Sequence, residues 1–434
     1  MLCGSARAND QVPGKAPPGP VLLVGGDVYP VSGPVVRGGY VLIDGGKVAA
    51  VGAGEPDKLP PKTEKVSVKG KRVYPGLMAV GNDLGLVEIP SVRASKDSAE
   101  IGQVNPNVRA EVGVNPDSEL IPVTRANGVL LNLTVPNGGL IAGTGAVLQL
   151  DGWTWEDMTV KSPACMAVAW PRIASRAAGS DDDDGPRGPS ADVALKALDR
   201  AFDDARAYAA ARPPSAGAAT TKPTVGGDDR AAHDRDARWE AMRPVLDGKV
   251  PLFVLADEAR QIESAVAFAA RQKVKLVIVG GYDAARCAAL LKANDVPVVV
   301  TGTNRLPQRR DSGYDAAFTL PDRLRKAGVR YCISYGSRFT SNVRNLPYDA
   351  GAAVAYGLPA DEALKAVTLY PAQIAGAADR VGSIEPGKDA TLIVTDGDVL
   401  ETATHVERAY VRGRPVDLTS RHTMLRDKYE QKYK

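Results

Sequence analysis

Histidine is scarce in this chain: three in 434 residues, His233, His405 and His422. A zinc centre of the imidazole type needs several such rings converging on one ion; with His233 in a charged insertion, His405 at a turn and His422 in the tail, none is expected. The same scarcity leaves no Ser-His-Asp or Cys-His set to assemble. Aromatic residues are only 5% of the chain, which argues against base-stacking platforms for nucleic acid. The net charge of +3 gives no support for nucleic acid or an acidic surface as partner. No apolar run approaches the roughly 18 residues that a membrane span requires. The four cysteines, Cys3, Cys165, Cys287 and Cys332, are scattered, with no C-x-x-C pair. Cys287 and Cys332 sit in apolar surroundings and are expected as buried thiols.

What is present is ordinary globular material, 44% hydrophobic and 24% charged. The length suits a large barrel with an accessory domain. The first 20 residues leave two readings open. Ala6-Arg7-Ala8 has the small-x-small form of a signal-peptide cleavage site ahead of a Pro/Gly-rich linker, which implies a periplasmic or secreted protein; yet the basic and apolar regions of a signal are missing, as in the tail of a cytoplasmic protein.

Both ends of the chain have a β character. "VLLVGGDVYP" and "GGYVLIDGGKVAAVG" form a meander whose Asp44-Gly45-Gly46 segment is a hairpin signal, and "DATLIVTDGD" with "HVERAYVRGRPV" repeats that grammar. A small β-sandwich built from residues 21–72 and 366–418 is expected, with 419–434 as a tail. The middle alternates apolar strands with helices: "VPLFVLADEARQIESAVAFAARQ", "KLVIVGGYDAARCAALLKAND", "VPVVVTGTN", "GVRYCISYGSRF". That pattern implies a parallel sheet covered on both faces, and the number of units over residues 73–365 fits a (β/α)8 barrel. An insertion at about 175–236 contains the Asp181–Asp184 run, a Pro/Ala/Gly-rich stretch and one helix, "ADVALKALDRAFDDARAYAAA". "VPNGGLIAGTGAVLQLDGW" lacks the lysine of a phosphate-binding loop and is taken as a barrel loop. Trp153 and Trp155 alternate as strand residues do and are expected in the core.

Four stretches together point to a family: "GGKVAAVG" with "VYPGLMAVGNDLG", "SNVRNLPYDAGAAVAYGLPADEALKAVTLYPAQIAG", "DRVGSIEPGKDATLIVTDGD" and "THVERAYVRGRPV". The chain resembles the amidohydrolase superfamily, closest to its imidazolonepropionase-like branch, over nearly its whole length. The resemblance implies a TIM-like barrel with a composite β-sandwich. It also implies hydrolysis of C–N bonds, such as those of cyclic amides, by one or two divalent metals at the C-terminal mouth of the barrel. Aligned on Pro75-Gly76-Leu77, the family's two strand-1 histidines fall at Gly81 and Asp83. The strand-5 histidine falls at Leu255, the strand-6 histidine near Gly280 or Gly281, and the strand-8 aspartate at Ser337 or Arg338.

No typical ligand stands in place, so neither metal nor cofactor is expected and the metal site is read as degenerate. Two carboxylates at the mouth, Asp83 and Asp257, are the candidates for rebuilt acid/base chemistry. Each has a plainer role as a cap, Asp257 for the helix starting near Glu258. Arg338 is the candidate for a cation that replaces the metal's charge by pairing with Asp83 or Glu88. Gly81, Asn82, Glu88, Asn105, Arg109, Tyr282 and Asn342 are candidate pocket residues, and Asn107 and Asn115 belong to the same loop over the mouth. Two functions follow: a hydrolase with a rebuilt site for a small-molecule substrate, or a catalytically silent protein that binds a small ligand or partners an active paralogue. A homodimer is the family's default.

Overall fold

The structure, a computed structural model, describes residues 11–173, 190–211 and 235–433, and gives only the backbone at 337–339. The readings of Cys3, Ala6-Arg7-Ala8, Asp181–Asp184 and His233 fall outside those residues.

The chain opens with β1 (Val21–Val28), β2 (Val36–Asp44), β3 (Lys47–Ala53), β4 (Glu64–Ser67) and β5 (Arg72–Pro75). Eight further strands follow: β6 (Leu77–Asn82), β7 (Val129–Thr134), β8 (Ile141–Gln149), β9 (Thr159–Ala169), β10 (Leu252–Ala256), β11 (Leu276–Gly280), β12 (Val298–Thr301) and β13 (Tyr331–Ser334). The last are β14 (Leu392–Thr395), β15 (Val406–Val411) and β16 (Arg414–Val416).

The two chain ends share one sheet, in the order β16-β15-β14-β5-β1-β2-β3 with β4 beside β1. The expected hairpins are there. Gly45 and Gly46 link β2 to β3, and Arg412 and Gly413 link β15 to β16, all four with positive φ. The sheet curls back on itself: the Val48 amide donates to the Lys388 carbonyl at 2.9 Å, joining the start of β3 to the segment before β14. Leu23, Val41, Ile43, Val73, Leu392 and Val394 fill the inside of this curl.

Strands β6 to β13 form a second sheet in sequence order. Every neighbouring pair is parallel except that β8 runs antiparallel to both β7 and β9. Here the structure corrects the sequence reading, which made a loop of the glycine-rich β8. Gly145 shows why the strand carries glycine: a Cβ there would meet the Thr134 carbonyl and the Cys165 sulfur, both at 2.8 Å. The tryptophan expectation is also corrected. Trp155 begins a short helix (Trp155–Met158), and Trp153 in the preceding turn is 65% exposed.

Side chains alternate across the barrel wall. Met78, Val80, Leu131, Leu133, Phe253, Val277, Val279, Val299 and Cys332 fill the lumen. Ile278, Val298, Val300 and Ile333 face the outer helices. One of those helices is Ala191–Ala211, expected within the insertion. Its buried face includes Leu198, Ala201, Phe202 and Ala205. Phe202 meets Phe268 of helix Ala259–Gln272 edge-on, with ring centroids 5.2 Å apart. No helix among the described residues is long and apolar enough to cross a membrane.

Candidate functional site

The C-terminal ends of the parallel strands set the mouth. At the tip of β6 the pairing with β7 slips between Val80 and Asn82, and Gly81 bulges out with φ +80°. A Cβ on Gly81 would lie 3.4 Å from Cγ1 of Val279, so this position faces an apolar lumen. The bulge turns Asn82 into a closed polar network. Its Nδ2 donates to Asn132 Oδ1 at 2.8 Å, and Asn132 Nδ2 donates to Thr134 Oγ1 at 2.7 Å. All three side chains are fully buried. Across the mouth, Leu255 is a lumen-facing strand residue that is nevertheless 56% exposed, so the mouth is open to solvent.

The two candidate carboxylates have separate partners. Asp83 is buried and accepts from Asn137 Nδ2 at 2.9 Å and from the Thr340 hydroxyl. Burial pushes its carboxyl above the ordinary value, with those hydrogen bonds offsetting part of the effect. Asp257 is half-buried and accepts from the Tyr282 amide at 3.1 Å. The helix cap expected of Asp257 belongs instead to Glu258, whose amide is held by Gln261 Oε1 at 3.2 Å.

The cation that meets Asp257 is Arg305, on the loop after β12. Its Nη1 stands 4.0 Å from Asp257 Oδ1, and its guanidinium lies 5.2 Å from the Tyr282 ring centroid. Nε and Nη2 of Arg305 are buried with no hydrogen-bond partner among the described residues. Arg309 covers the same ring at 5.6 Å. It is locked by two hydrogen bonds to Asp283, Nη1 to Oδ1 at 2.8 Å and Nη2 to Oδ2 at 2.5 Å. Burial works to raise the Asp283 pKa, but the Arg309 bonds, the Ala259 amide and the nearby guanidinium charges outweigh it and leave the carboxyl below its usual value. Two guanidiniums thus lie against the Tyr282 ring, and its hydroxyl accepts from the Gln308 amide at 3.1 Å. The loop after β12 is tied down on both sides.

Asp349 sits behind this loop, in the first turn of helix Leu346–Ala355. It is 1% exposed, and its Oδ2 has no hydrogen-bond partner among the described residues. Burial pushes its pKa up to about 6, with the nearby Tyr335 hydroxyl, the Asn304 and Thr303 amides and the Arg305 charge pulling the other way. Arg305 therefore lies within electrostatic reach of two carboxylates, Asp257 and Asp349.

The remaining candidates are spread out. Glu88 accepts from the Ser118 hydroxyl at 2.5 Å and the Glu119 amide at 3.0 Å, so it is committed to the start of helix Leu120–Arg125. Asn105 Nδ2 donates to the Gly102 carbonyl at 3.3 Å, and Asn115 Oδ1 accepts from the Asp117 amide at 3.1 Å. Arg109 pairs with buried Glu111 at 2.7 Å and lies 5.6 Å from the Trp155 ring centroid, alongside β8. Asn342 is exposed in the 3-10 turn Ser337–Asn345. The Arg338 side chain lies outside the described part of that turn. His405 is exposed beside Asp396 in the curled sheet, and His422 meets Arg344 at 2.5 Å in the last helix. Among the described residues, no three His, Cys, Asp or Glu side chains gather as a metal site requires.

With this geometry in place, residues 253–423 match the amidohydrolase family. An amidohydrolase, tasK, of Hapsidospora irregularis is 23% identical over 414 residues, covering 88% of this chain. The chain spans 41% of that relative's length. An amidohydrolase from Thermotoga maritima MSB8 superposes with a TM-score of 0.75 at 26% identity, covering 92% of this chain and 99% of that one. A Xaa-Pro dipeptidase with methionine bound in its active site gives a TM-score of 0.52 at 17% identity, covering 92% and 100% of the two chains, a likeness of fold alone. In this barrel the open end lies at Gly81, Leu255, Asp257 and Arg305.

Sequence reasoning missed Arg305, Arg309, Asp283 and Asp349. A signal for the first was available: Arg305 follows the strand-end segment "VVVTGTN" directly, where barrel loops carry functional side chains.

Proposed function

We propose that this chain uses the amidohydrolase barrel as a metal-free site for a small molecule, in which zinc-dependent hydrolysis has been lost. One observation carries the reading. Arg305 places at the mouth a guanidinium whose Nε and Nη2 have no hydrogen-bond partner among the described residues, while the positions matching the family's histidines hold Gly81, Asp83 and Leu255. Glycine and leucine supply no ligand atom, and Asp83 is already spent on Asn137 and Thr340. A guanidinium can replace the charge of a metal in orienting a carbonyl or an anion. It cannot lower the pKa of a water as a bound metal does.

A second reading, cyclic-amide hydrolysis without metal, is favoured by Asp349. A carboxyl pushed up to about 6 suits proton transfer near neutrality. Its burial means that a substrate reaches it only if the surrounding chain moves aside.

The deciding experiment measures metal content and turnover on one preparation. Cyclic amides, N-acyl amino acids and proline-terminated dipeptides are screened at neutral pH, with and without a chelator and added zinc. The expected result is less than stoichiometric zinc, no chelator-sensitive turnover, and binding of a panel member that disappears in Arg305→Met. Zinc-dependent turnover would overturn the proposal. Turnover insensitive to chelator, and lost in Asp349→Asn, would favour the second reading.

A further inference from the structure

A cavity lies at the opposite end of the barrel from Arg305. It measures about 460 Å3 and is bounded by the residues that precede β10, β11, β12 and β13, including Pro251, Lys275, Pro297 and Arg330. This volume falls in the range of small-molecule sites, roughly 300–1,000 Å3.

Its lining has two parts. Val266, Val274, Val277, Val296 and Ile374 give an apolar floor, and Val277 and Ile374 belong to the packed lumen. The rim is basic: Lys161, Lys249, Lys275 and Arg330 face a single carboxylate, Asp295. Two of these cations have carboxylate partners. Arg330 Nε donates to Asp295 Oδ1 at 2.9 Å, and Lys249 pairs with Asp247 at 3.1 Å. Lys275 has neither an ion pair nor a hydrogen bond among the described residues. Lys161 Nζ donates to the carbonyls of Ala375 at 3.2 Å and Gly376 at 2.6 Å, which leaves one of its three N–H groups. Burial lowers the Lys161 pKa, and the charge of Asp379 opposes that shift.

Helix C-termini gather on this face of a barrel, and lysines there commonly satisfy helix carbonyls. That role accounts for Lys161. It does not account for Lys275, nor for a cavity whose apolar floor lies beneath four cations.

We propose that this cavity is a second binding site, for a small organic anion whose apolar body lies on Val266, Val296 and Ile374 and whose anionic group meets Lys161 and Lys275. Carboxylate and phosphate head groups share the chemistry that the rim recognises. The site stands apart from the mouth and does not depend on what the mouth binds.

The test is calorimetric titration of the full chain with octanoate and octyl phosphate, with octanol and octylamine as controls. Both anions are expected to bind with one-to-one saturation, octanol more weakly and octylamine not at all; the stronger of the two anions identifies the head group. Ala270→Trp, which fills the cavity from its rim, is expected to abolish binding. Lys275→Glu, an exposed substitution that leaves the core alone, is expected to weaken the anions by about fivefold or more and octanol hardly at all. Arg305→Met is expected to leave both titrations unchanged. Equal binding of octanol and octanoate, indifference to Lys275→Glu, or loss of binding in Arg305→Met would each overturn the proposal.

Discussion

The Ser334 hydroxyl closes the barrel onto Val80. It accepts from the Val80 amide at 2.6 Å and donates to the Val80 carbonyl at 2.8 Å, so one side chain does at the β13/β6 seam what a ladder of backbone bonds does elsewhere. Both residues are fully buried. Ser334→Ala strands a buried donor and a buried acceptor together, at a cost of about 1–3 kcal/mol for each group left unsatisfied. Denaturant unfolding is expected to show a lower midpoint with an unchanged slope. A midpoint equal to that of the parent chain would mean that the seam closes by other means.

Elemental analysis offers the most direct check of the mouth. Protein purified in zinc-supplemented medium and dialysed is expected to retain well under one equivalent of zinc, because a site of the family's kind needs three or four converging ligands. One equivalent retained through dialysis would restore the metal-dependent reading.

Restoring the first histidine alone is expected to fail. Gly81→His places a Cβ at φ +80°, 3.4 Å from Cγ1 of Val279, with no second imidazole to share an ion. The strain of a non-glycine residue there is about 1–3 kcal/mol. The variant is expected to melt lower, and its melting temperature is expected not to rise with added zinc.

Asp349 gives the chain a defined pH dependence. Its folded pKa of about 6 stands above the ordinary 3.8, so between those values the folded state holds a proton that the unfolded state has released. This contribution is absent below about pH 4. It erodes stability as pH rises toward 6 and is constant above, with a total of about 2–3 kcal/mol. Asp349→Asn removes the titration. The stability of the variant relative to the parent is expected to improve as pH rises from 4 to 6 and then to level off. Parallel stability curves across that window would rule the linkage out.

Arg305 and Asp349 are coupled through charge. Removing the guanidinium in Arg305→Met takes away a force that lowers the Asp349 pKa. The carboxyl, followed by carbon-13 NMR, is expected to titrate higher than in the parent chain, and Arg305→Lys is expected to restore most of the difference. An unmoved titration would show that the two groups do not sense each other.

The barrel and the sheet shared by both chain ends were legible because they depend on local pattern. Apolar runs alternate with helical periods, Gly45-Gly46 and Arg412-Gly413 force tight turns, and the strands of both chain ends share one style. The antiparallel β8 was not legible. Its glycines mark close approach to Thr134 and Cys165, and in a single sequence that is indistinguishable from a flexible loop. Trp153 and Trp155 misled because alternation over three residues does not separate a strand from a turn leading into a short helix.

The histidine count by itself made an imidazole-rich metal centre unexpected, and the structure adds that His405 and His422, the two histidines among the described residues, lie in the curled sheet and the last helix, away from the strand ends of the mouth. The sequence also placed Asp83 and Asp257 at the ends of their strands, where chain order and spacing suffice. Which charges meet was decided only by the tertiary structure. Asp83 turned inward to Asn137 and Thr340, while Asp257 met Arg305, 48 positions further along the chain. Separations of that size are closed by the curvature of a barrel, and no spacing rule along one chain encodes which loop residues it brings face to face.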